Sequence, residues 1–193
     1  MDQYTGTRHE IVAWLALLAL SCTNRGAGPD SACADGNATA CLELATRHLQ
    51  GAGVARDPAR ARELLTRACD LGEPTACHNL GVAMERGDGA PQDDARARKL
   101  YRRACGLGNS QACTNLGICL VTGVGGEVDL AEARRLFRGS CAADDPKACH
   151  GLAVLVRDGH GGDRNPTEAA ALLDKACRLG EAAACQEAAA QGR

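Results

Sequence analysis

RACDLGEPTAC, residues Arg67 to Cys77, sets two cysteines eight positions apart around a Leu-Gly-Glu-Pro turn. The device returns as RACGLGNSQAC (Arg103 to Cys113) and KACRLGEAAAC (Lys175 to Cys185). SCAADDPKAC (Ser140 to Cys149) is a looser copy, and SACADGNATAC (Ser31 to Cys41) opens the series. The first cysteines are Cys33, Cys69, Cys105, Cys141 and Cys177; the second are Cys41, Cys77, Cys113, Cys149 and Cys185; both series step by 36 without insertion or deletion. A fixed period of this size is the signature of a solenoid, whose units bury their apolar faces only by stacking on one another.

Other columns keep the step. Ala40, Ala76, Ala112, Ala148 and Ala184 precede the second cysteines, and Leu44, Leu80, Leu116 and Leu152 follow them. A Gly-x-Gly comes next, beginning at Gly51, Gly87, Gly123 and Gly159, and then Asp57, Asp93, Asp129 or Asn165. Ala61 with Leu64, Ala97 with Leu100, Ala133 with Leu136 and Ala169 with Leu172 close each unit. The pattern reads as helix A, glycine turn, helix B, each helix with one face to bury and one to solvate. Gly51 and its equivalents predict left-handed caps for helix A, and Asp57 and its equivalents predict side-chain caps for helix B. Pro58 and Pro166 fit the first helical position, where no amide bond is lost. Glu132 and Glu168 are expected to complete capping boxes with Asp129 and Asn165.

Each cysteine pair therefore joins the end of helix B to the start of the next helix A. Antiparallel helices leaving a short turn could bring such residues within disulfide range. Closing a loop of about nine residues contributes roughly 2.5 kcal/mol in the chain-entropy picture.

The unbroken register across 193 residues argues for one elongated array. With Tyr4 and Trp14 in the N-terminal segment, only Tyr101 and Phe137 remain as aromatics, so alanine and leucine are expected to build the core. A formal net charge of −2 and this scarcity of rings give no footprint for nucleic acid. Ile11 to Leu20, IVAWLALLAL, is too short to span a bilayer but has the length of a signal-peptide hydrophobic region. It ends at ALSC, Ala19 to Cys22, which resembles a bacterial lipobox and implies lipidation of Cys22. Residues 1–22 thus read as leader, 23–30 as a short tether, and 31–193 as the solenoid. Export also suits the cysteines: ten of the twelve pair by the repeat, Cys22 belongs to the lipobox, and Cys119 is left over. Cys119 reads as a buried free thiol, with a bridge to Cys22 the alternative.

LGVAMERGDGAPQD (Leu80 to Asp93) and LGICLVTGVGGEVD (Leu116 to Asp129), followed by Ala-x-x-Leu and a closing Ala-Cys, resemble the Sel1-like repeat. With paired cysteines, the chain from Ser31 to about Ala190 is similar to the cysteine-rich, Helicobacter-type branch of that family. His48, Met84, Leu120 and Val156 stand where the family usually has Tyr, and Ala45 and Ala153 replace a helix A glycine. The resemblance implies a right-handed α-solenoid of about four helix pairs with terminal half units. It also implies a concave face that binds proteins or peptides, without a cofactor. An alternative that it implies is weak β-lactam binding or hydrolysis, and a third is a mitochondrial-type assembly factor, which the leader argues against.

The residues themselves read against catalysis. Ser21, Ser31, Ser110 and Ser140 are followed three places on by Asn24, Ala34, Cys113 and Ala143, so no Ser-x-x-Lys pair exists. His78 and His150, two repeats apart, project alike from separate helices and are expected to be solvated or capping residues, not metal ligands. His160 in DGHGGD is expected to be a turn residue, and no Cys-x-x-Cys supports redox chemistry. The basic runs Arg60 to Arg67 and Arg96 to Arg103 read as solvated faces of helix B, with an acidic-partner surface as the alternative. The leader and the resemblance together imply an exported, lipid-anchored scaffold of the bacterial cell envelope, with a protein or peptide as its partner.

Overall fold

Helix ends fix the register of every unit, because the residues that satisfy their free amides and carbonyls recur at the same positions. The computed structural model describes residues 28–190, so Cys22, the leader and most of the tether lie outside it. The helices are α1 (Pro29–Ala34), α2 (Ala38–Gln50), α3 (Pro58–Asp70), α4 (Pro74–Arg86), α5 (Asp94–Gly106), α6 (Ser110–Thr122), α7 (Leu130–Ala142), α8 (Pro146–Asp158), α9 (Pro166–Arg178) and α10 (Ala182–Ala190). No strand occurs among the described residues. Even-numbered helices are the A members and odd-numbered helices the B members. Each packs on its neighbours in the chain, which makes the array an α-solenoid. α1 is the opening half unit and α10 the closing one; because α1 starts at Pro29, the last two residues read as tether are helical.

Helix A ends on a left-handed glycine in each full unit: Gly51, Gly87, Gly123 and Gly159 have φ between 72° and 76°. Helix B begins as expected, with Asp57, Asp93, Asp129 and Asn165 accepting from the amides of Arg60, Arg96, Glu132 and Glu168. Pro58 and Pro166 occupy the first turn. The expected capping boxes do not form. The Asp129 and Asn165 amides already donate to the carbonyls of Leu120 and Val156, at 3.0 and 2.9 Å. Glu132 and Glu168 are thereby released, and they accept instead from Arg102 and Arg138 of the preceding helix B, at 3.1 and 3.0 Å.

The corner between B and A is a Schellman turn. At Leu71–Glu73 the Gly72 amide donates to Cys69 O at 2.9 Å and the Glu73 amide to Ala68 O at 3.0 Å. Gly36, Gly72, Gly108 and Gly180 take the left-handed position, and in the looser copy Asp144 takes it at φ 61°. This turn brings the two cysteines of each pair together, and all five disulfides form with Cα atoms 4.5 to 4.6 Å apart.

The core departs from the alanine-and-leucine expectation. Tyr101 and Phe137 are 1% and 3% exposed, whereas Leu100 and Leu172 are only partly buried. Each ring lies over a helix A glycine: a Cβ on Gly81 would stand 2.7 Å from Tyr101 Cε1, and one on Gly117 would stand 2.5 Å from Phe137 Cε1. The equivalent positions in the first and fourth units hold buried Ala45 with Leu65 and Ala153 with Leu173.

The basic runs are not simply solvated, because their side chains clamp adjacent units. Reaching forward, Arg62 donates to the Gly89 carbonyl, Arg98 to Glu127 O at 2.7 Å and Arg134 to Asp163 O at 2.8 Å. Reaching back to the preceding corner, Arg67 donates to Ala34 O, Arg103 to Cys69 O and Lys175 to Cys141 O, at 2.6, 2.9 and 2.7 Å. Arg98 and Arg134 are each 8% exposed, so they act as buried struts between repeats.

Candidate functional site

While helix B supplies these clamps, the A helices present a separate face. A groove of about 510 Å³ crosses it. α4 supplies His78, Val82, Glu85 and Arg86, α6 supplies Gln111, Thr114 and Asn115, and the start of α8 supplies Asp145, Pro146 and Lys147.

Polar bonds tie one A helix to the next along this face. His78 Nδ1 lies 3.3 Å from Asn79 Oδ1 and Nε2 lies 3.1 Å from Asn115 Nδ2. These partners suit a neutral ring that donates from Nδ1 and accepts at Nε2. Burial holds the His78 pKa below its usual value, which favours that neutral form. Thr114 donates to Asp145 Oδ2 at 3.1 Å, linking α6 to α8. His150 Nε2 donates to Glu187 Oε2 at 3.1 Å, and Arg157 also reaches Glu187, linking α8 to α10. Both histidines are therefore half-buried bridges between helices, not solvated or capping residues.

Behind the groove, Tyr101 donates its hydroxyl proton to Glu85 Oε2 at 2.5 Å. Burial first, and then this carboxylate, push the tyrosine pKa up. Cys119 is a buried free thiol as expected. Burial and the charge of Glu85 raise its pKa, and the guanidinium of Arg98, brought close by the fold, offsets only part of this. The thiol therefore stays protonated and a poor nucleophile at neutral pH.

Ser140 is buried and donates to Ser110 O at 3.2 Å. His160 lies exposed in the loop, its amide donating to Leu155 O at 2.9 Å. No group of three His, Cys, Asp or Glu side chains is arranged as metal ligands among the described residues. No described helix is long and apolar enough to cross a membrane.

The Sel1 repeat profile matches four times in succession, over residues 38–73, 74–109, 110–145 and 146–181. The chain belongs to the Sel1 repeat family. Its solved relatives include a protective antigen of uropathogenic Escherichia coli with an SLR fold, 30% identical with a TM-score of 0.78 over 82% of this chain and 34% of that one. A Sel1 repeat protein from Oxalobacter formigenes superimposes with a TM-score of 0.76 at 24% identity, covering 81% of this chain and 64% of its own. Cysteine-rich protein B of Helicobacter pylori matches 68% of this chain and 94% of its own, at 25% identity and a TM-score of 0.53. This chain thus spans about a third of the length of the E. coli protein. No curated protein sequence matches at a significant level. The five disulfides of this Sel1 repeat scaffold mark a protein that folds in an oxidising, extracytoplasmic compartment.

Proposed function

We propose that this Sel1 repeat protein is an exported scaffold, tethered to a bacterial membrane through a lipid on Cys22, that holds a protein or peptide on the concave face formed by its A helices. The observation that carries the binding role is the division of labour between the two faces. The buried arginines of helix B are spent on inter-repeat clamps, while the A helices line a groove with polar groups on its walls and Val82 among its lining residues. Within residues 1–22 the leader is cleaved before Cys22, which stays as the lipidated first residue; 23–28 act as the tether, and the disulfides form after export.

Site-directed photo-crosslinking in the producing cell tests this reading. A photoreactive residue at Val82 or Ile118, on the A face, should give discrete protein adducts, and one at Arg135 or Lys99, on the B face, should give none. Adducts from the B face alone would refute it. Intact mass of the mature protein tests the tether: an N-terminal acylated Cys22 is expected, and any other start without an acyl mass would remove it.

A further inference from the structure

The groove across α4, α6 and α8 holds charges of both signs, but they are not equally available. Glu85 is engaged from behind by the Tyr101 hydroxyl at 2.5 Å. Asp145 is used twice, by the Ala148 amide at 3.0 Å and by the Thr114 hydroxyl at 3.1 Å. Arg86 and Lys147 are exposed and have no hydrogen-bond or ion-pair partner among the described residues. Comparable arginines on helix B, such as Arg102, Arg103 and Arg138, are paired with Glu132, Asp70 and Glu168.

The formal charges cancel, so placement decides. One free cation stands at the α4 rim and the other at the α8 rim, and between them lie Val82, Gln111 and Asn115, which carry no charge. Arg86 ends α4 and Lys147 opens α8, so the two are separated by two helix spacings of about 8–10 Å each and by about 16 Å along the helix axes, a diagonal that an extended chain rising about 3.3 Å per residue crosses in about seven residues. The geometry points to an extended segment of a partner protein with a carboxylate at each end of a short uncharged stretch, one for Arg86 and the other for Lys147. This rests on the proposed peptide-binding role and specifies the chemistry of what is bound.

The test uses fluorescence anisotropy with the oxidised protein and three labelled peptides blocked at both termini: Glu-Ala-Leu-Ser-Ala-Val-Glu and its Gln-ended and Lys-ended counterparts. The Glu-ended peptide should bind about 3- to 10-fold more tightly than the Gln-ended one in low salt, and the Lys-ended peptide more weakly than either. Raising the salt should narrow the gap. The double variant Arg86→Gln with Lys147→Gln, checked for an unchanged melting temperature, should bind the Glu-ended and Gln-ended peptides equally, whereas Arg135→Gln on helix B should keep the preference. Equal affinities in the unmodified protein, or a preference that survives the double variant, would overturn the inference. If all three peptides bind equally and Val82→Glu abolishes binding, the peptide-binding role stands and only the charge selection fails. Absence of saturable binding by any of the three sinks both.

Discussion

In the two inner units an aromatic ring lies over a glycine, Tyr101 on Gly81 and Phe137 on Gly117. In the two outer units a leucine and an alanine fill the same two places: Leu65 with Ala45, and Leu173 with Ala153. The Phe137 ring also reaches the next A helix, against Gly151, where a Cβ would come within 2.9 Å of it. Inner and outer units thus reach the same close packing by opposite divisions of volume. The unit of design is the pair of positions on helices A and B, not the single column. In the third unit the large B residue thereby contacts two A helices at once.

Four changes break or sharpen this contrast. The largest effect is expected where an inner loop meets its neighbour. Gly125 in the third unit has φ 72°, and a Cβ there would collide with the Asp94 carbonyl oxygen, while Gly53 in the first unit, at φ 74°, has nothing within 4 Å. Gly125→Ala should cost about 3 kcal/mol in urea denaturation and Gly53→Ala about 1, since only the former adds overpacking to backbone strain. Gly117→Ala should cost about 2 kcal/mol against the Phe137 ring, despite its gain in helix propensity. Combining it with Phe137→Leu, which recreates the outer arrangement, should recover about 1 kcal/mol or more relative to the sum of the single changes. Strict additivity would show that the pair is not a unit.

A smaller effect separates His78 from Leu42, its equivalent in the first unit. Because the folded His78 pKa is lowered, the unfolded chain takes up the proton first. Its contribution is fully present above about pH 6.5 and is lost as the pH falls through that value towards the folded pKa. Melting temperatures between pH 7.5 and pH 5 should therefore fall more steeply for the native protein than for His78→Gln. The smallest effect is expected at Asp144, the left-handed residue where the other corners have glycine. Asp144→Gly should stabilise by less than about 1 kcal/mol, because relief of backbone strain outweighs the exposed pair with Lys175.

The repeat, the corner and both helix caps were legible because each is local: a glycine or aspartate at a fixed place satisfies backbone groups within a few residues. The capping boxes misled because the amide they need was already taken by a carbonyl of the previous helix, a partner nine residues upstream that no motif reveals. The glycine–ring pairing was legible in principle, since Gly81 with Tyr101 and Gly117 with Phe137 share one separation, and Ala45 with Leu65 and Ala153 with Leu173 repeat it. Reading the columns singly hid it and left the rings out of the core. The struts formed by Arg62, Arg98 and Arg134 were not legible, because a basic residue on a solvated face and one reaching the next repeat look alike locally. The groove was hidden for the same reason. His78, Asn115 and Asp145 meet only through stacking, at separations tied to the repeat and not to any motif of a site.

Peptide mapping of the purified protein under non-reducing conditions tests most directly the claim that each corner is welded within itself into a one-dimensional array. The account predicts five linkages, Cys33 to Cys41, Cys69 to Cys77, Cys105 to Cys113, Cys141 to Cys149 and Cys177 to Cys185, with Cys119 a free thiol that resists alkylation until the chain is unfolded. Any linkage crossing from one corner to another, or Cys119 found in a disulfide, would contradict it.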